Sequence, residues 1–441
     1  MLLYFYSMTI DLSSVRKVHF IGIGGIGVSA LARMYLKSKA QVSGSDREAD
    51  SLVISELRRL GAAITRGHRA SAVPKDADLV IYTIAIPSNN PELSRARTLG
   101  LKTQSYPEAL GQLSIGRPTI AISGTHGKTT TTAMVAEILV AARRDPLVVV
   151  GSLLNRVRSR RSNFIAGRGP LVVEACEYRR SFLTLAPTIL VITNIDNDHL
   201  DYYRDLVDIQ SAFAELAGKI APTGALICDK RDPRLQPILL NTRCLTIDYH
   251  QFDKMADKLS LRVLGAHNRL NAAAALAVAK VLKINPSISH QALEKFKGLW
   301  RRLEYLGRTR QGARLYDDYG HHPTAIRATL AAVRRDLAPQ RLIVVFQPHL
   351  YSRTKLLFKE FAESFSAADE ILVLPIYAAR EPVDKTISSR ILASAIPRAI
   401  YVSSITAAAK RLTQTTGPQD LILTLGAGDV FVLGEKLRYN H

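Results

Sequence analysis

Residues 123–132 read SGTHGKTTTT, and this stretch decides the fold. It follows the apolar run TIAI and precedes AMVAEILVAA, which has the apolar spacing of a helix. A strand, a Gly-rich turn and a helix in this order place backbone N–H groups around a phosphate, which disfavours a chance polar turn. The common G-x-x-x-x-G-K-[ST] spacing would need glycine where this chain has Ile122, and His126 lies inside the loop. The stretch therefore predicts a nucleotide loop of shortened spacing.

Side chains suited to a phosphate and a magnesium ion accompany this loop. Lys128 can reach a terminal phosphate, and the hydroxyl of Thr129 can ligate Mg²⁺. Glu174 ends an apolar strand, where it would face the phosphates, although a salt-bridged glutamate is the alternative. The stretch TNIDNDHLD at 193–201 is dense in oxygen and nitrogen ligands, but an ordinary polar loop would look the same. Cys176 is interpreted as a small buried residue and not as a nucleophile.

A second glycine motif lies near the start of the chain. Gly22, Gly24 and Gly27 fit G-x-G-x-x-G between a strand and a helix, and the acidic Asp46 follows. The glycines allow a tight turn, and the helix N–H groups then face a diphosphate. The pattern predicts a diphosphate site without naming the ligand. A glycine turn that serves only close packing is the alternative.

Strands and helices alternate along the whole chain, which predicts an α/β fold with parallel sheets. Breaks near 113–118 and 296–307 divide it into three consecutive units. We place the domain boundaries at 1–115, 116–300 and 301–441. In the last unit, the loops DDYGHHP at 317–323 and QPHLYSRT at 347–354 resemble a site, while a capping aspartate and core histidines are the simpler interpretation.

The composition of the 441 residues, 47% hydrophobic and 22% charged, is that of a soluble globular protein. The longest apolar runs are too short for a membrane span, and the opening MLLYFYSM is interpreted as an extension and not a signal peptide. Three widely spaced cysteines favour a reducing cytoplasm. The net charge of +21 suits nucleic acid or an anionic substrate. The one tight basic cluster, at 156–161, has no interleaved aromatics, so we expect no nucleic-acid partner.

Taken together, the motifs resemble the Mur ligases, the ATP-dependent amide-forming enzymes of peptidoglycan synthesis. The resemblance covers nearly the whole chain and rests on these segments in family order: GIGGIGVSALA, GTHGKTTTT, EACEYRRSFL, TNIDNDHLDYY, GAHNRLNAAAA, DDYGHHP, QPHLYSRT and LTLGAGD. In that family the shortened loop and its histidine are normal. The resemblance implies a Rossmann-like N-terminal domain for the UDP moiety, a central P-loop ATPase domain and a Rossmann-like C-terminal domain for the amino acid.

DDYGHHP together with GIGGIG is particularly similar to the branch of the family that adds L-alanine to UDP-N-acetylmuramate. The implied reaction uses ATP and Mg²⁺ and passes through an acyl phosphate of the muramoyl carboxylate. The implied setting is the cytoplasm, as a monomer or weak dimer without membrane insertion. A related ligase that reattaches a recycled tripeptide is the nearest rival, followed by a non-ligating nucleotide-binding regulator. A dinucleotide-dependent oxidoreductase is remote.

The resemblance also assigns roles to residues of this chain. Catalysis is assigned to Lys128, His199 and Arg302. ATP binding is assigned to Gly124, Thr125, His126, Gly127, Lys128, Thr129, Thr130, His267, Asn268, Asn271 and Asp318. The substrates are assigned to Gly22, Gly24, Gly25, Gly27, Asp46, Tyr319, His321 and Arg353, and the metal to Thr129, Glu174 and His199.

Three features of the chain bear on this resemblance. Where the alanine-adding branch often has E-A-D-E-[ST]-D, this chain reads EACEYR at 174–179, so two acidic positions are lost. Leu350 occupies a position where many relatives have arginine, which leaves recognition to Arg353 unless Arg380 or its neighbours compensate. Several Mur ligases also have a carbamylated lysine after the Asp-His pair, where this chain reads QSAFAEL. The alanine-adding branch lacks it as well, which supports that branch.

Overall fold

The computed structural model describes residues 14–48, 51–154, 162–199, 202–240, 242–379 and 381–439. The opening MLLYFYSM, the basic cluster at 156–161 and Arg380 lie outside the described residues, so the predictions made for them stay predictions. Within these ranges, no helix is long and apolar enough to cross a membrane.

The N-terminal part is a five-stranded parallel sheet with strand order β3-β2-β1-β4-β5. Its strands are β1 (Lys17–Ile21), β2 (Gln41–Asp46), β3 (Ala63–Arg66), β4 (Leu79–Tyr82) and β5 (Thr103–Ser105). Its helices are α1 (Ile26–Lys37), α2 (Leu52–Arg59), α3 (Pro91–Thr98) and α4 (Tyr106–Ser114). Because β1 is central, with β2 on one side and β4 on the other, the turn after β1 lies where the strand order reverses. That position is where ligands bind in open parallel sheets.

The middle part is a seven-stranded sheet with strand order β12-β11-β10-β6-β9-β7-β8, in which β8 runs antiparallel to β7. Its strands are β6 (Thr119–Ser123), β7 (Leu147–Leu154), β8 (Ser162–Ile165), β9 (Leu171–Glu174), β10 (Ile189–Ile192), β11 (Ala225–Cys228) and β12 (Leu245–Asp248). Its helices are α5 (Lys128–Ala141), α6 (Leu206–Gly218), α7 (Gln236–Leu239), α8 (Asp253–Asp257), α9 (Ala266–Val281) and α10 (Pro286–Glu294). The strand before SGTHGKTTTT, β6, is the middle strand, flanked in parallel by β10 and β9.

The C-terminal part is a six-stranded sheet with strand order β13-β14-β18-β15-β16-β17, in which β13 is antiparallel to β14. Its strands are β13 (Glu304–Arg308), β14 (Arg314–Asp318), β15 (Arg341–Phe346), β16 (Glu370–Val373), β17 (Ala399–Tyr401) and β18 (Asp420–Leu425). Its helices are α11 (Pro323–Leu337), α12 (Tyr351–Leu356), α13 (Phe358–Ala362), α14 (Ser389–Ala395), α15 (Ile405–Thr415) and α16 (Phe431–Leu437).

The run RLIVVF of β15 shows why this last sheet is covered on both faces. Leu342, Val344 and Phe346 belong to one apolar cluster, and Ile343 and Val345 belong to another. Successive strand residues point to opposite faces, so a run that is apolar at every position needs a core on each side.

The predicted α/β fold class with three parallel-sheet domains is confirmed. The described chain forms two compact units, one up to Leu259 with Leu270–Glu294, the other Ser260–Arg269 with the residues from Lys295 onward. The first unit contains the N-terminal and middle sheets, and the second contains the C-terminal sheet. The boundaries proposed from the sequence stay predictions.

Candidate active site

Two glycines give the loop after β6 its shape. Gly124 has φ of 124° and Gly127, the residue before α5, has φ of 84°, both in the region that favours glycine. A Cβ atom on Gly124 would meet Thr193 and, at 2.8 Å, the carbonyl oxygen of Asn194. A Cβ atom on Gly127 would run into the side chain of Asn271. The loop therefore needs glycine at both positions for conformation and for space.

The segment after β10 supports this loop from the neighbouring strand. The carbonyl of Asn194 accepts from the Thr125 N–H at 3.0 Å, and its side-chain oxygen accepts from the His126 N–H at 2.9 Å. The Thr125 hydroxyl in turn accepts from the N–H of Asp196 at 2.8 Å. Because β6 and β10 are adjacent and parallel, their carboxyl ends meet at one edge of the sheet. The segment after β10 thus holds one side of the loop through hydrogen bonds with its backbone and with the Asn194 side-chain amide.

Lys128, the first residue of α5, lies over this loop with its ammonium group nearly buried. Its Nζ donates to the carbonyl oxygens of Gly124 and Thr125 and forms an ion pair with Glu177 Oε1 at 2.9 Å. Burial acts to lower the pKa of Lys128, but the negatively charged neighbours, Glu177 foremost and Glu174 among the others, together outweigh it, and the pKa lies above its ordinary value. Lys128 is therefore cationic throughout the physiological pH range.

Thr129 and Glu174 bring two oxygen atoms together at the N-terminus of α5. The Thr129 hydroxyl donates to Glu174 Oε1 at 3.1 Å, and the Gly151 N–H donates to Oε2 at 2.9 Å. Glu174 ends β9, which is adjacent to β6, so the sheet register places its carboxylate beside the loop. The alternative of a salt-bridged glutamate does not describe this geometry, because the contacts of Glu174 are a hydroxyl and a backbone amide.

His199 lies in the segment after β10, at a backbone φ of 55°. Its ring packs against the ring of Tyr178 with centroids 4.8 Å apart, and its Nε2 is 3.8 Å from Glu177 Oε1. His199 and Lys128 therefore share one carboxylate neighbour. The sequence-predicted loop residues, Glu174 and His199 are thus close together in the first unit.

The three residues assigned to the adenine site fall in different units. Asn271 belongs to the first unit, where its Oδ1 accepts from the Thr131 hydroxyl at 3.2 Å. His267 and Asn268, in the first turn of α9, belong to the second unit. Burial lowers the pKa of His267, so its imidazole is neutral at neutral pH. The Asn268 amide donates to the carbonyl of Leu264 at 2.6 Å.

The first glycine motif forms the turn between β1 and α1. The Gly24 N–H donates to Asp46 Oδ2 at 2.7 Å, so the carboxylate after β2 holds the turn. A Cβ on Gly27 would meet the ring of Tyr106 at 2.6 Å, so the third glycine serves close packing. Gly25 precedes α1 and offers no side-chain cap to the helix amides. The turn combines a packing role with an open helix N-terminus suited to a diphosphate.

In the second unit, Asp318 holds the backbone on both sides of β14. Its carboxylate accepts from the N–H groups of Leu303 and Gly320, each at 2.7 Å. The guanidinium of Arg302 lies 5.3 Å from the Tyr319 ring centroid. Within this unit Asp318 therefore acts as a capping residue, because its carboxylate accepts hydrogen bonds from backbone N–H groups.

Arg353 lies in a cluster of rings after β15 and β14. Its Nη1 is 3.3 Å from His349 Nδ1, and the His349 ring lies 5.7 Å from that of His321. His321 in turn packs edge-on against Tyr319 at 5.3 Å. Tyr319, His321 and Arg353, assigned together to the amino-acid pocket, are thus close neighbours.

Three residues of these sites were missed, and one interpretation was wrong. Glu177 binds Lys128, and His349 and Tyr377 stack at 5.8 Å within the Arg353 cluster. Glu177 lies in the motif EACEYRRSFL and His349 lies in QPHLYSRT, so the sequence could have indicated both as site residues. Tyr377 lies in no quoted motif, so nothing in the sequence indicated it. Cys176, expected to be buried, is exposed because the chain leaves the sheet after Glu174.

The residues at the loop fit a nucleotide with a divalent cation. The Thr129 hydroxyl and the Glu174 carboxylate are hard oxygen donors of the kind that Mg²⁺ and Mn²⁺ take together with phosphate oxygens. Backbone N–H groups at the start of α5 and the Lys128 ammonium offer positive charge to the phosphates.

Comparisons with known proteins agree with this geometry. Family models match residues 17–117 (Mur ligase family, catalytic domain), 122–257 (Mur ligase middle domain) and 301–428 (Mur ligase, glutamate ligase domain). UDP-N-acetylmuramate–L-alanine ligase of Clostridium beijerinckii is 40% identical over 452 residues, covering 96% of this chain and 97% of that protein.

Two solved structures are similar over their full length. The crystal structure of UDP-N-acetylmuramate–alanine ligase from Thermotoga maritima has 27% identity and a TM-score of 0.80, covering 96% of this chain and 98% of that chain. A murein peptide ligase from Psychrobacter arcticus shares the fold, with 24% identity, a TM-score of 0.74 and the same coverages of 96% and 98%. From the nucleotide loop, the three matched models and these relatives, the chain belongs to the Mur ligase family.

Proposed function

We propose that this protein ligates L-alanine to UDP-N-acetylmuramate, with ATP converted to ADP and phosphate, as a step of peptidoglycan synthesis. The observation that carries the proposal is the convergence of Lys128, Thr129 and Glu174 on one loop. It occurs in a chain that aligns almost end to end with an L-alanine ligase at 40% identity.

The first step transfers the γ-phosphoryl group of ATP to the lactyl carboxylate of UDP-N-acetylmuramate. Two anions must approach each other, so positive charge has to cover the transferring group. Lys128 supplies a fixed cation, because burial acts to lower its pKa but its negatively charged neighbours, Glu177 foremost, together raise it. A bound Mg²⁺ at Thr129 and Glu174 would add Lewis-acid charge. ATP with a divalent cation agrees with the family, and Mg²⁺ is our proposal for that cation.

In the second step the amine of L-alanine attacks the acyl carbon, and phosphate leaves. The amine must be neutral and unblocked, so recognition has to come from the carboxylate end of the amino acid. Arg353 in the ring cluster of the second unit is the residue we assign to that carboxylate. Arginine presents paired donors that match a carboxylate. Tyr319 and His321 would line the space around the methyl group.

The UDP moiety is assigned to the turn between β1 and α1. Gly22 and Gly24 shape this turn through their own hydrogen bonds, and Gly25 precedes α1, so the first amides of α1 lie at the point where the strand order reverses. Asp46 is already bonded to the Gly24 N–H, so we assign it to shaping this turn as well as to the substrate. We assign the adenine side of ATP to His267, Asn268 and Asn271. We assign the closing of the C-terminal domain onto the nucleotide to Arg302 and Asp318.

The tripeptide-recycling ligase is the second candidate. It is favoured by the match to a murein peptide ligase, which covers as much of the chain as the alanine ligase match does. The higher TM-score and identity of the alanine ligase favour the first candidate, 0.80 and 27% against 0.74 and 24%.

One experiment separates the two. Phosphate release from ATP is measured with UDP-N-acetylmuramate and, in turn, L-alanine, glycine, L-serine or the tripeptide L-Ala-D-Glu-meso-diaminopimelate. We expect release with L-alanine. Release with the tripeptide alone would move the assignment to the recycling ligase, and release without any ligation product would indicate the non-ligating regulator. We also propose a cytoplasmic location. We further propose that the protein is a monomer or weak dimer, and sedimentation would test this oligomeric state.

A further inference from the structure

Tyr106 is the first residue of α4, and a capping box fixes the start of this helix. The Glu108 carboxylate accepts from the Ser105 N–H at 2.7 Å, and the Ser105 hydroxyl accepts from the Glu108 N–H at 3.4 Å. Pro107 follows directly, and its ring restricts the backbone in the first turn of the helix. The backbone of Tyr106 is therefore held in place by local structure.

The ring of Tyr106 lies against the third glycine of the first glycine motif. A Cβ atom on Gly27 would be 2.6 Å from the ring carbon Cζ and 2.7 Å from the hydroxyl oxygen, so glycine leaves the room that this ring needs. Gly27 is the second residue of α1, which begins at Ile26. The Tyr106 hydroxyl is therefore at the helix N-terminus assigned to the diphosphate, and it forms no hydrogen bond with any of the described residues.

Helix α4 also packs on the segment that follows β9, the strand that ends at Glu174. The Thr184 hydroxyl, in this segment, donates to the carbonyl oxygen of Pro107 at 2.7 Å. Burial first, and then the neighbouring Glu174 and Cys176, raise the pKa of Tyr106, so its hydroxyl is protonated at neutral pH. Tyr106 thus offers a hydrogen-bond donor close to both the glycine turn and the Glu174 carboxylate.

The first turn of α1 is held against the middle sheet as well. Asn163, a fully buried residue of β8, donates through Nδ2 to the Ser29 hydroxyl at 2.9 Å and to the carbonyl oxygen of Ile26. The glycine turn, α4 and the end of β9 all belong to the first compact unit. A substrate whose diphosphate lies at the glycine turn therefore has Tyr106 beside it where it extends toward Glu174.

We propose that the Tyr106 hydroxyl donates a hydrogen bond to the diphosphate of UDP-N-acetylmuramate. The inference rests on the proposed function, because it takes the glycine turn as the diphosphate site. Backbone amides at a helix N-terminus hold a diphosphate from one side. A phenol donor on the Glu174 side adds a charge-assisted bond from a second direction, so the sugar and its lactyl carboxylate are directed toward the nucleotide loop. Tyr106 is thus a substrate-binding residue that takes no part in the phosphoryl transfer itself.

The test compares full-length wild type with Tyr106→Phe, which removes the hydroxyl and keeps the ring against Gly27. Calorimetry measures the Kd of UDP-N-acetylmuramate, of UDP, and of AMPPCP with Mg²⁺. Loss of a hydrogen bond to a charged group should weaken the binding of UDP-N-acetylmuramate and of UDP by the same factor, about ten- to a hundredfold. The AMPPCP affinity and the Tm should equal those of wild type. In ligation assays the KM for UDP-N-acetylmuramate should rise, and kcat should be nearly unchanged.

Tyr35→Phe is the matched control, because Tyr35 is a buried tyrosine near the other end of α1. This variant should bind all three ligands as wild type does. Unchanged UDP-N-acetylmuramate affinity in Tyr106→Phe would overturn the inference. A loss confined to UDP-N-acetylmuramate would also overturn it, by placing the hydroxyl on the sugar, and a loss of AMPPCP affinity with a lower Tm would make Tyr106 structural. Ligation of L-alanine by wild type tests the proposed function separately, and that function can hold whichever of these results is found.

Discussion

At the scale of single residues, charge at the loop is arranged around one lysine. Lys128 contacts two backbone carbonyls and the Glu177 carboxylate, and its pKa is raised because its negatively charged neighbours, Glu177 foremost, together outweigh burial. The loop motif was enough to predict Lys128 and Thr129, because their spacing from the glycines is local. It could not predict Glu177, whose contact with Lys128 spans 49 positions and depends on the pairing of β6 with β9.

Lys128→Ala should abolish ligation while leaving UDP-N-acetylmuramate binding nearly unchanged. The substitution removes the fixed cation over the transferring phosphoryl group, and loss of one such group typically costs about 10²–10³ in rate. The glycine turn after β1 is untouched. Steady-state phosphate release and calorimetry with the UDP substrate measure the two effects. Lys230→Ala, at an exposed lysine, is the control, and near-normal ligation by Lys128→Ala would refute the loop assignment.

Arg353→Lys should raise the KM for L-alanine and hardly change the KM for ATP or the UDP substrate. Lysine keeps the charge but loses the paired donors, and one charge-assisted bond is worth about 1.5–3 kcal/mol, or about ten- to a hundredfold. Leu350, which has φ of 70°, adds no charge to this end of the cluster. Arg411→Lys, at an exposed pair with Glu370, is the control. A fall in Tm without an alanine effect would instead make Arg353 structural.

At the scale of elements, a buried apolar strand beside a motif, such as β9, was predictable, and exposed or interrupted strands were not. The break near 113–118 begins in the last residues of α4 and ends before β6, and the break near 296–307 follows α10 and reaches into β13. β3, with residues AITR, was missed because it is four residues long and three of its residues are exposed. β7 was missed although LVVVGSLL is apolar; Gly151 interrupts the run, and its pairing with β8 and β9 is what defines it as a strand. Periodicity alone does not separate a short apolar strand from a buried helix segment.

One network ties α3 to the N-terminal sheet. Glu92, on α3, is fully buried and binds His19 Nε2 at 2.8 Å and His68 Nδ1 at 3.2 Å. Burial would raise the pKa of Glu92, but the hydrogen bonds from His19, His68 and Ser45 and the charge of His19 together outweigh it and lower the pKa to about 2. Because the folded-state pKa is depressed, the contribution is present above the ordinary value of 4.5 and is lost as pH falls toward about 2.

Glu92→Gln should therefore lower the free energy of unfolding at neutral pH, by a few kcal/mol as an order of magnitude. It should also flatten the decline of stability between about pH 4.5 and about pH 2. Urea unfolding across this pH range measures both effects. Asp76→Asn is the matched control, because the pKa of Asp76 is also lowered, mainly by its hydrogen bond from Lys17, but its carboxylate is exposed and screened by solvent. Equal pH profiles for wild type and Glu92→Gln would contradict the network's role.

At the scale of the whole molecule, the groups assigned to one reaction are divided between two compact units. The nucleotide loop and the glycine turn belong to the first unit, and Arg353, Asp318 and His267 belong to the second. The sequence predicted three segments, at 1–115, 116–300 and 301–441, and gave no sign that GAHNRLNAAAA would be divided between two units. The sequence could not predict the relative placement of the units, since few local signals constrain the linker around 298–303.

We expect the protein to close when its substrates bind. The acyl phosphate reacts with water as well as with an amine, so the alanine nitrogen has to reach it in a site from which water is excluded. The nucleotide loop lies in the first unit and the groups assigned to L-alanine lie in the second, so the proposed reaction needs groups from both units at the acyl phosphate. Small-angle X-ray scattering should show a smaller radius of gyration with AMPPCP, Mg²⁺ and UDP-N-acetylmuramate than with UDP-N-acetylmuramate alone. The same comparison on Lys128→Ala, which should bind the UDP substrate but hold the γ-phosphate poorly, should give a smaller change. An identical radius in all states would mean that the units are already positioned for chemistry, and the rate would then have to be limited by another step.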